Sequence, residues 1–112
     1  VLQADALIRP YTVTGGRGGQ VAIIFRDHLI SDKVGFEYSG MDGEAAAADF
    51  IQRLDNIQAR LVEEGAEGPH LVTVLLDGEN AWEHYENDGK EFLHALYQGL
   101  SQADNLRTVT WR

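Results

Sequence analysis

Apolar and polar positions fall into blocks along this chain, and each block predicts an element. Tyr11-Thr-Val-Thr14 reads as a strand, and Val21-Ala-Ile-Ile-Phe25 as a second. Between them Gly15-Gly-Arg-Gly-Gly19 supplies residues that tolerate positive φ, so a β-hairpin is predicted. A glycine cluster also cradles phosphate in some proteins, but here no Gly-Lys-Ser/Thr ending and no immediate helix pattern follow it. Val21–Phe25 is apolar throughout, the signature of a strand buried on both faces. Polar Arg26-Asp-His28 follows at once, and Ser31 to Ser39 reads as loop with a short extended piece.

From about Gly43 to Glu64 the period changes. Ala47, Phe50, Ile51, Leu54, Ile57 and Leu61 recur at helical spacing and form one apolar stripe, with Asp42 as N-cap and Gly65 as the stop. A stripe of this kind packs a core far more often than it binds a ligand. Leu71-Val-Thr-Val-Leu-Leu76 is the next predicted strand, ending abruptly in Asp77-Gly-Glu-Asn80. Asp88 with Glu91 gives a capping-box signal for a second helix, whose apolar face is Phe92, Leu93, Leu96, Tyr97 and Leu100. Leu106 to Trp111 closes the chain as a short β-like run.

Strands alternating with helices imply parallel pairing through right-handed crossovers. The predicted fold class is therefore α/β: a hairpin followed by a consecutive βαβαβ arc of an incomplete parallel (β/α) barrel. A closed barrel needs more chain than this. Residues 1–112 are expected to form a single partial domain, with no internal repeat and no linker.

Composition narrows the partners. With 44% hydrophobic and 24% charged residues, a modest core is within reach. The formal charge of −9 disfavours nucleic-acid backbone and anionic membrane surfaces, whereas a neutral ligand such as a sugar is indifferent to it. No apolar run approaches the ~20 residues that span a bilayer. Having no cysteine, the chain carries no disulfide, thiolate or cysteine–zinc chemistry.

The two most polar clusters, Arg26-Asp-His28 and Asp77-Gly-Glu-Asn80, follow the two most apolar runs. In parallel α/β folds the site lies beyond the C-terminal ends of the strands, so adjacent strands would bring both clusters to one cleft. Polarity alone is also what ordinary loops show. Asp77 to Asp88 has the length of a calcium loop, but Trp82 occupies the position that requires glycine. Glu83, His84, Glu86 and Asp88 read better as a solvated helix start than as a metal cluster. Glycosidic cleavage needs a carboxylic acid and an opposed carboxylate. On an extended strand Asp77 and Glu79 would face one side, roughly 7 Å apart at Cα, and cannot flank a bond between them. If this cluster does such chemistry, one of them is catalytic and the other binds a hydroxyl. Trp82 and Tyr85 are faces on which sugar rings stack, the alternative being that they pack the loop down.

At these residues the chain closely resembles the fourth conserved region of glycoside hydrolase family 57, a family of α-amylases, amylopullulanases and 4-α-glucanotransferases. The stretches that carry the likeness are Leu71-Val-Thr-Val-Leu-Leu-Asp-Gly-Glu-Asn-Ala-Trp-Glu-His-Tyr85, Gly89-Lys-Glu-Phe-Leu93 and Leu96-Tyr97. Phe25-Arg-Asp-His-Leu-Ile-Ser-Asp32, Gly35-Phe36, Tyr38-Ser39, Arg9-Pro-Tyr11 and Arg107-Thr-Val-Thr110 extend it over nearly the whole chain. The resemblance implies a retaining mechanism on α-glucan or maltooligosaccharide in an incomplete (β/α) barrel, with no cofactor and no required metal. It places the acid/base on Asp77 and a substrate-contacting glutamate on Glu79. Arg26 matches a basic residue near the nucleophile, His28 is a candidate sugar contact, and Asp27 and Asp32 are supporting or structural. The family's nucleophilic glutamate and early histidine motif precede the Phe-Arg-Asp-His segment, whereas Val1 to Gly19 holds neither glutamate nor histidine. The chain is thus expected to be a piece of a catalytic barrel, inactive alone and prone to self-association. The contrasting expectation is a non-catalytic α/β module that binds sugar or protein through the same cleft.

Overall fold

The computed structural model describes residues 8–79 and 81–110. Asn80 of the Asp-Gly-Glu-Asn motif and Trp111 of the predicted closing strand lie outside the described residues. The architecture is mixed α/β, a two-stranded antiparallel hairpin followed by three α-helices.

Strands β1 (Tyr11–Thr14) and β2 (Gln20–Ile23) pair with Tyr11 opposite Ile23 and Thr14 opposite Gln20. The glycine loop closes on itself, Gly18 donating to Gly15 O at 3.0 Å with its own φ at +84°, a value glycine reaches without strain. The hairpin forms where expected, but its apolar run is not buried on both faces. Val21 is 63% exposed and Phe25 42%, because no second layer covers this sheet among the described residues.

Helix α1 (His28–Asp32) runs on through a π turn at Lys33–Glu37 and a 3₁₀ turn at Tyr38–Gly40, where the sequence predicts loop. Ile30, Val34 and Tyr38 explain it, since all three are almost fully buried and stand four residues apart. In an α-helix a residue four on overshoots its predecessor by about 40°. The wider π turn winds back, keeping the three on one inward face.

Helix α2 (Gly43–Glu63) follows the prediction closely. The Asp42 carboxylate accepts from Ala45 N at 3.2 Å, satisfying an otherwise unpaired helix-start donor. At the far end Ala66 N donates to Leu61 O and Gly65 N to Val62 O, with Gly65 at φ +70°, a Schellman closure. The stripe packs inward through Ala47, Phe50 and Leu61, with Ile51, Leu54 and Ile57 partly buried beside them. Tyr38 is tied to this helix by its hydroxyl, which donates to Asp49 Oδ2 at 2.6 Å, while Arg53 Nε donates to the same oxygen at 2.9 Å. Burial drives the Tyr38 phenol above its ordinary value, and the bond from Tyr38, then that from Arg53, hold the Asp49 carboxyl below the usual carboxylate range.

Helix α3 (Lys90–Gln102) starts differently from the capping-box prediction. Asn87 and Asp88 adopt left-handed φ of 52° and 57°, and Gly89 takes the N-cap position at +81°. Glu91 instead accepts from Asn87 Nδ2 at 2.7 Å, a bond that lowers its pKa. Phe92 and Leu96 are buried and Leu93 and Leu100 pack beside them, but Tyr97 is 64% exposed and leaves the predicted apolar face.

The predicted strands 71–76 and 106–111 do not form as such among the described residues. One parallel bridge, Arg26 to Thr73, joins the first to the chain after the hairpin. Residues 70–74 and 105–110 line one cleft of about 430 Å³ over Phe50, Leu54 and Leu100. A strand needs a neighbour at hydrogen-bonding distance, and among the described residues these two runs are not paired with each other.

Helices α2 and α3 lie side by side and run the same way. A Cβ on Gly43 would stand 2.8 Å from Phe92 N, and one on Gly99 would meet Ile51 Cδ1. These two contacts differ in kind, one being against backbone and the other against a side-chain tip. Gly43→Ala is expected to destabilise the chain by about 1–3 kcal/mol, because the helix starts must separate. Gly99→Ala is expected to cost less, since Ile51 can turn away and alanine gains about 1 kcal/mol of helix propensity over glycine. Denaturant midpoints of the two variants check this; equal losses would mean that the helix starts do not meet.

Candidate functional site

The site grows from a joint between the segment after the hairpin and residues 73–75. At the Arg26–Thr73 bridge, Asp27 N donates to Thr73 O at 2.7 Å. The Asp27 carboxylate accepts from Ile30 N at 2.8 Å and so caps α1. Leu75 N in turn donates to Ser31 Oγ at 3.2 Å, and Ser31 is 2% exposed. Two bonds thus fix the α1 segment against residues 73–75, ahead of Asp77, and the cap holds α1 to the first of them. Thr73 Oγ1 is buried among them without a hydrogen-bond partner.

Around this joint stand the charged groups. Arg26 Nη1 lies 3.4 Å from Asp32 Oδ1, and His28 Nε2 lies 3.2 Å from Asp32 Oδ2. His28 projects into solvent, its side chain 77% exposed. Asp77, Gly78 and Glu79 are all exposed just beyond residue 76. The segment of Arg26 and His28 thus meets residues 73 and 75 of the run that leads to Asp77 and Glu79, while neither cleft that borders this joint among the described residues is lined by both polar clusters. Among the described residues no group of three histidine or acidic side chains stands close enough to hold a metal ion.

The two aromatics part company. Trp82 is half-buried, its ring 5.3 Å from Tyr85 and 6.2 Å from Phe92, and a Cβ on Gly89 would touch it at 3.1 Å. Glycine at 89 gives both the left-handed turn and the room for the indole. Tyr85 is buried at 7% exposure, and its hydroxyl donates to Val34 O. Burial pushes its phenol up to about 12. Tyr85 therefore packs the loop onto the core, the alternative weighed for it in the sequence, and it backs Trp82 from beneath. His84 faces Glu83 at 3.2 Å on the exposed turn, away from the aromatic core.

Sequence reasoning missed Ser31 as a structural tie, because Ser31 to Ser39 reads as loop. The available signal was Asp27, placed three residues before Ile30 at N-cap spacing.

No curated protein and no solved structure matches the chain. A family model does: that of glycosyl hydrolase family 57 matches residues 1–112, spanning both polar clusters, the bridge that joins their segments and the helices that carry them. With that match covering its whole length, the chain belongs to glycosyl hydrolase family 57.

Proposed function

We propose that this chain supplies the acid/base half of a retaining α-glucan hydrolase or glucanotransferase, with Asp77 as the acid/base and the nucleophile contributed from outside these 112 residues. The observation that supports this assignment is the joint of Arg26 to Thr73 and of Ser31 to Leu75, which ties the run just ahead of exposed Asp77 and Glu79 to the segment that carries Arg26 and His28. Such convergence is what a site at the C-terminal ends of parallel strands requires. The parallel bridge, with α2 and α3 running the same way, supports a (β/α) barrel arc whose remaining strands lie elsewhere in the domain. Exposed Val13, Val21, Phe25, Leu75 and Val109 are apolar surface for those elements to cover.

In this role Asp77 protonates the departing glycosidic oxygen as the opposed carboxylate attacks the anomeric carbon. Its conjugate base then takes a proton from the water or sugar hydroxyl that displaces the enzyme from the glycosyl intermediate. Glu79, Arg26 and His28 bind hydroxyls, and the free part of Trp82 stacks against a sugar ring.

Expressed alone, the chain is expected to self-associate in light scattering and to leave a chromogenic maltooligosaccharide uncleaved. The full-length gene product is expected to cleave or transfer it and to lose that activity on Asp77→Asn. Turnover by rigorously purified 112-residue chain, abolished by Asp77→Asn, would overturn the placing of the nucleophile outside it.

A further inference from the structure

We infer that Asp32 is a positioning residue, holding Arg26 and His28 in the orientation in which they meet the glucan; this rests on the assignment of Arg26 and His28 as sugar contacts. Its two oxygens are divided between them, Oδ1 at 3.4 Å from Arg26 Nη1 and Oδ2 at 3.2 Å from His28 Nε2. The carboxylate is rooted on fixed backbone. Asp32 follows Ser31, which is buried and bonded to Leu75 N, in a helix capped by Asp27 and pinned to Thr73. Arg26 and His28 are by contrast exposed side chains, with long or freely turning torsions.

Exposed ion pairs contribute little to stability, so holding the fold together is a poor account of this arrangement. Orientation is a better one. Fixing Arg26 and His28 in the free protein removes rotamer freedom that binding would otherwise have to remove. The approach of Nε2 to Oδ2 turns the imidazole so that Nδ1 is left for a partner outside the pair. The carboxylate also offsets the guanidinium charge, leaving the other Arg26 N–H groups as donors to neutral hydroxyls. Sequence spacing shows only the i,i+4 relation of His28 and Asp32; the convergence with Arg26 is visible only in three dimensions.

The test uses the full-length gene product carrying Asp77→Asn, so that binding is read without turnover. Asp32→Asn is expected to weaken maltoheptaose binding in calorimetry about 5- to 15-fold, the loss of one or two oriented hydrogen bonds. Asp32→Glu, which keeps the charge, is expected to recover most of it. In an Arg26→Ala/His28→Ala background, Asp32→Asn is expected to add less than about a 2-fold loss, because nothing remains to be oriented. With Asp77 restored, Asp32→Asn raises KM and leaves kcat nearly unchanged, the mark of a binding contact rather than a misfolded site. Unchanged affinity on Asp32→Asn, or the same loss in the double-alanine background, overturns the inference while leaving the acid/base assignment standing. Failure of the Asp77→Asn protein to bind maltoheptaose at all overturns the glucan assignment, and this inference with it.

Discussion

Asp77→Ala in the full-length protein is expected to lower kcat/KM on starch by about 10²- to 10⁴-fold, the range that a positioned general acid contributes. On an α-glucosyl fluoride the loss should be far smaller. Fluoride departs without a proton, whereas the alkoxide of a glucan chain does not, so removing the acid slows glycosylation only where protonation was needed. Azide should then restore part of the turnover on the fluoride. It is a nucleophile that needs no base, and alanine leaves room for it beside the glycosyl intermediate. Glu79→Gln is expected to behave differently, raising KM on both substrates alike, because a hydroxyl contact is made before and during the reaction. Equal losses on starch and fluoride for Asp77→Ala, with no effect of azide, would make Asp77 a binding or structural residue. That outcome would leave the family membership untouched, since membership rests on the whole chain.

How much of this was legible in the sequence depends on how local each signal is. Helix α2 carries its own instructions in the Asp42 cap, the apolar stripe and the Gly65 closure, and all three are realised. The hairpin is equally local, because a glycine loop and two flanking runs determine its register. The start of α3 was misjudged because Asn87 and Asp88 both take left-handed backbone, displacing the cap to Gly89. These residue types tolerate that conformation better than most, but nothing in the spacing announces it. Residues 71–76 and 106–110 are apolar enough for strands, yet strand formation requires a partner at about 4.8 Å, and pattern cannot say whether one is present. The site divides in the same way. Arg26, His28, Asp77 and Glu79 stand out as polar breaks after apolar runs, whereas the meeting of Asp32 with both Arg26 and His28, and the tie from Leu75 to Ser31, exist only through space.

Phe92→Ala is expected to remove a large share of the stability that the described part of the chain possesses. Phe92 is 2% exposed, with ring centroids 5.6 Å from Tyr38, 5.5 Å from Tyr85 and 6.2 Å from Trp82. It is thus the ring through which the 3₁₀ turn of Tyr38, the site loop and α3 hold one another. Truncating a buried phenylalanine costs about 3–5 kcal/mol, from lost transfer energy and the cavity left behind. A domain of this size holds about 5–15 kcal/mol in all. The melting temperature should therefore fall by about 15 °C or more. Phe92→Leu keeps most of the volume and should cost much less. The consequence for the site is specific. Trp82 rests on Phe92, Tyr85 and Gly89, so even the leucine variant should loosen the indole. In a Trp111→Phe background, which leaves Trp82 as the sole tryptophan, its emission should shift to the red in both variants. The full-length Phe92→Leu enzyme should bind maltoheptaose more weakly while keeping the starch-to-fluoride preference that reports on Asp77. A Phe92→Ala chain that melts with the wild type would mean that the aromatic cluster is not the core of this segment. A red shift without any loss of binding would mean instead that Trp82 packs the loop and touches no sugar.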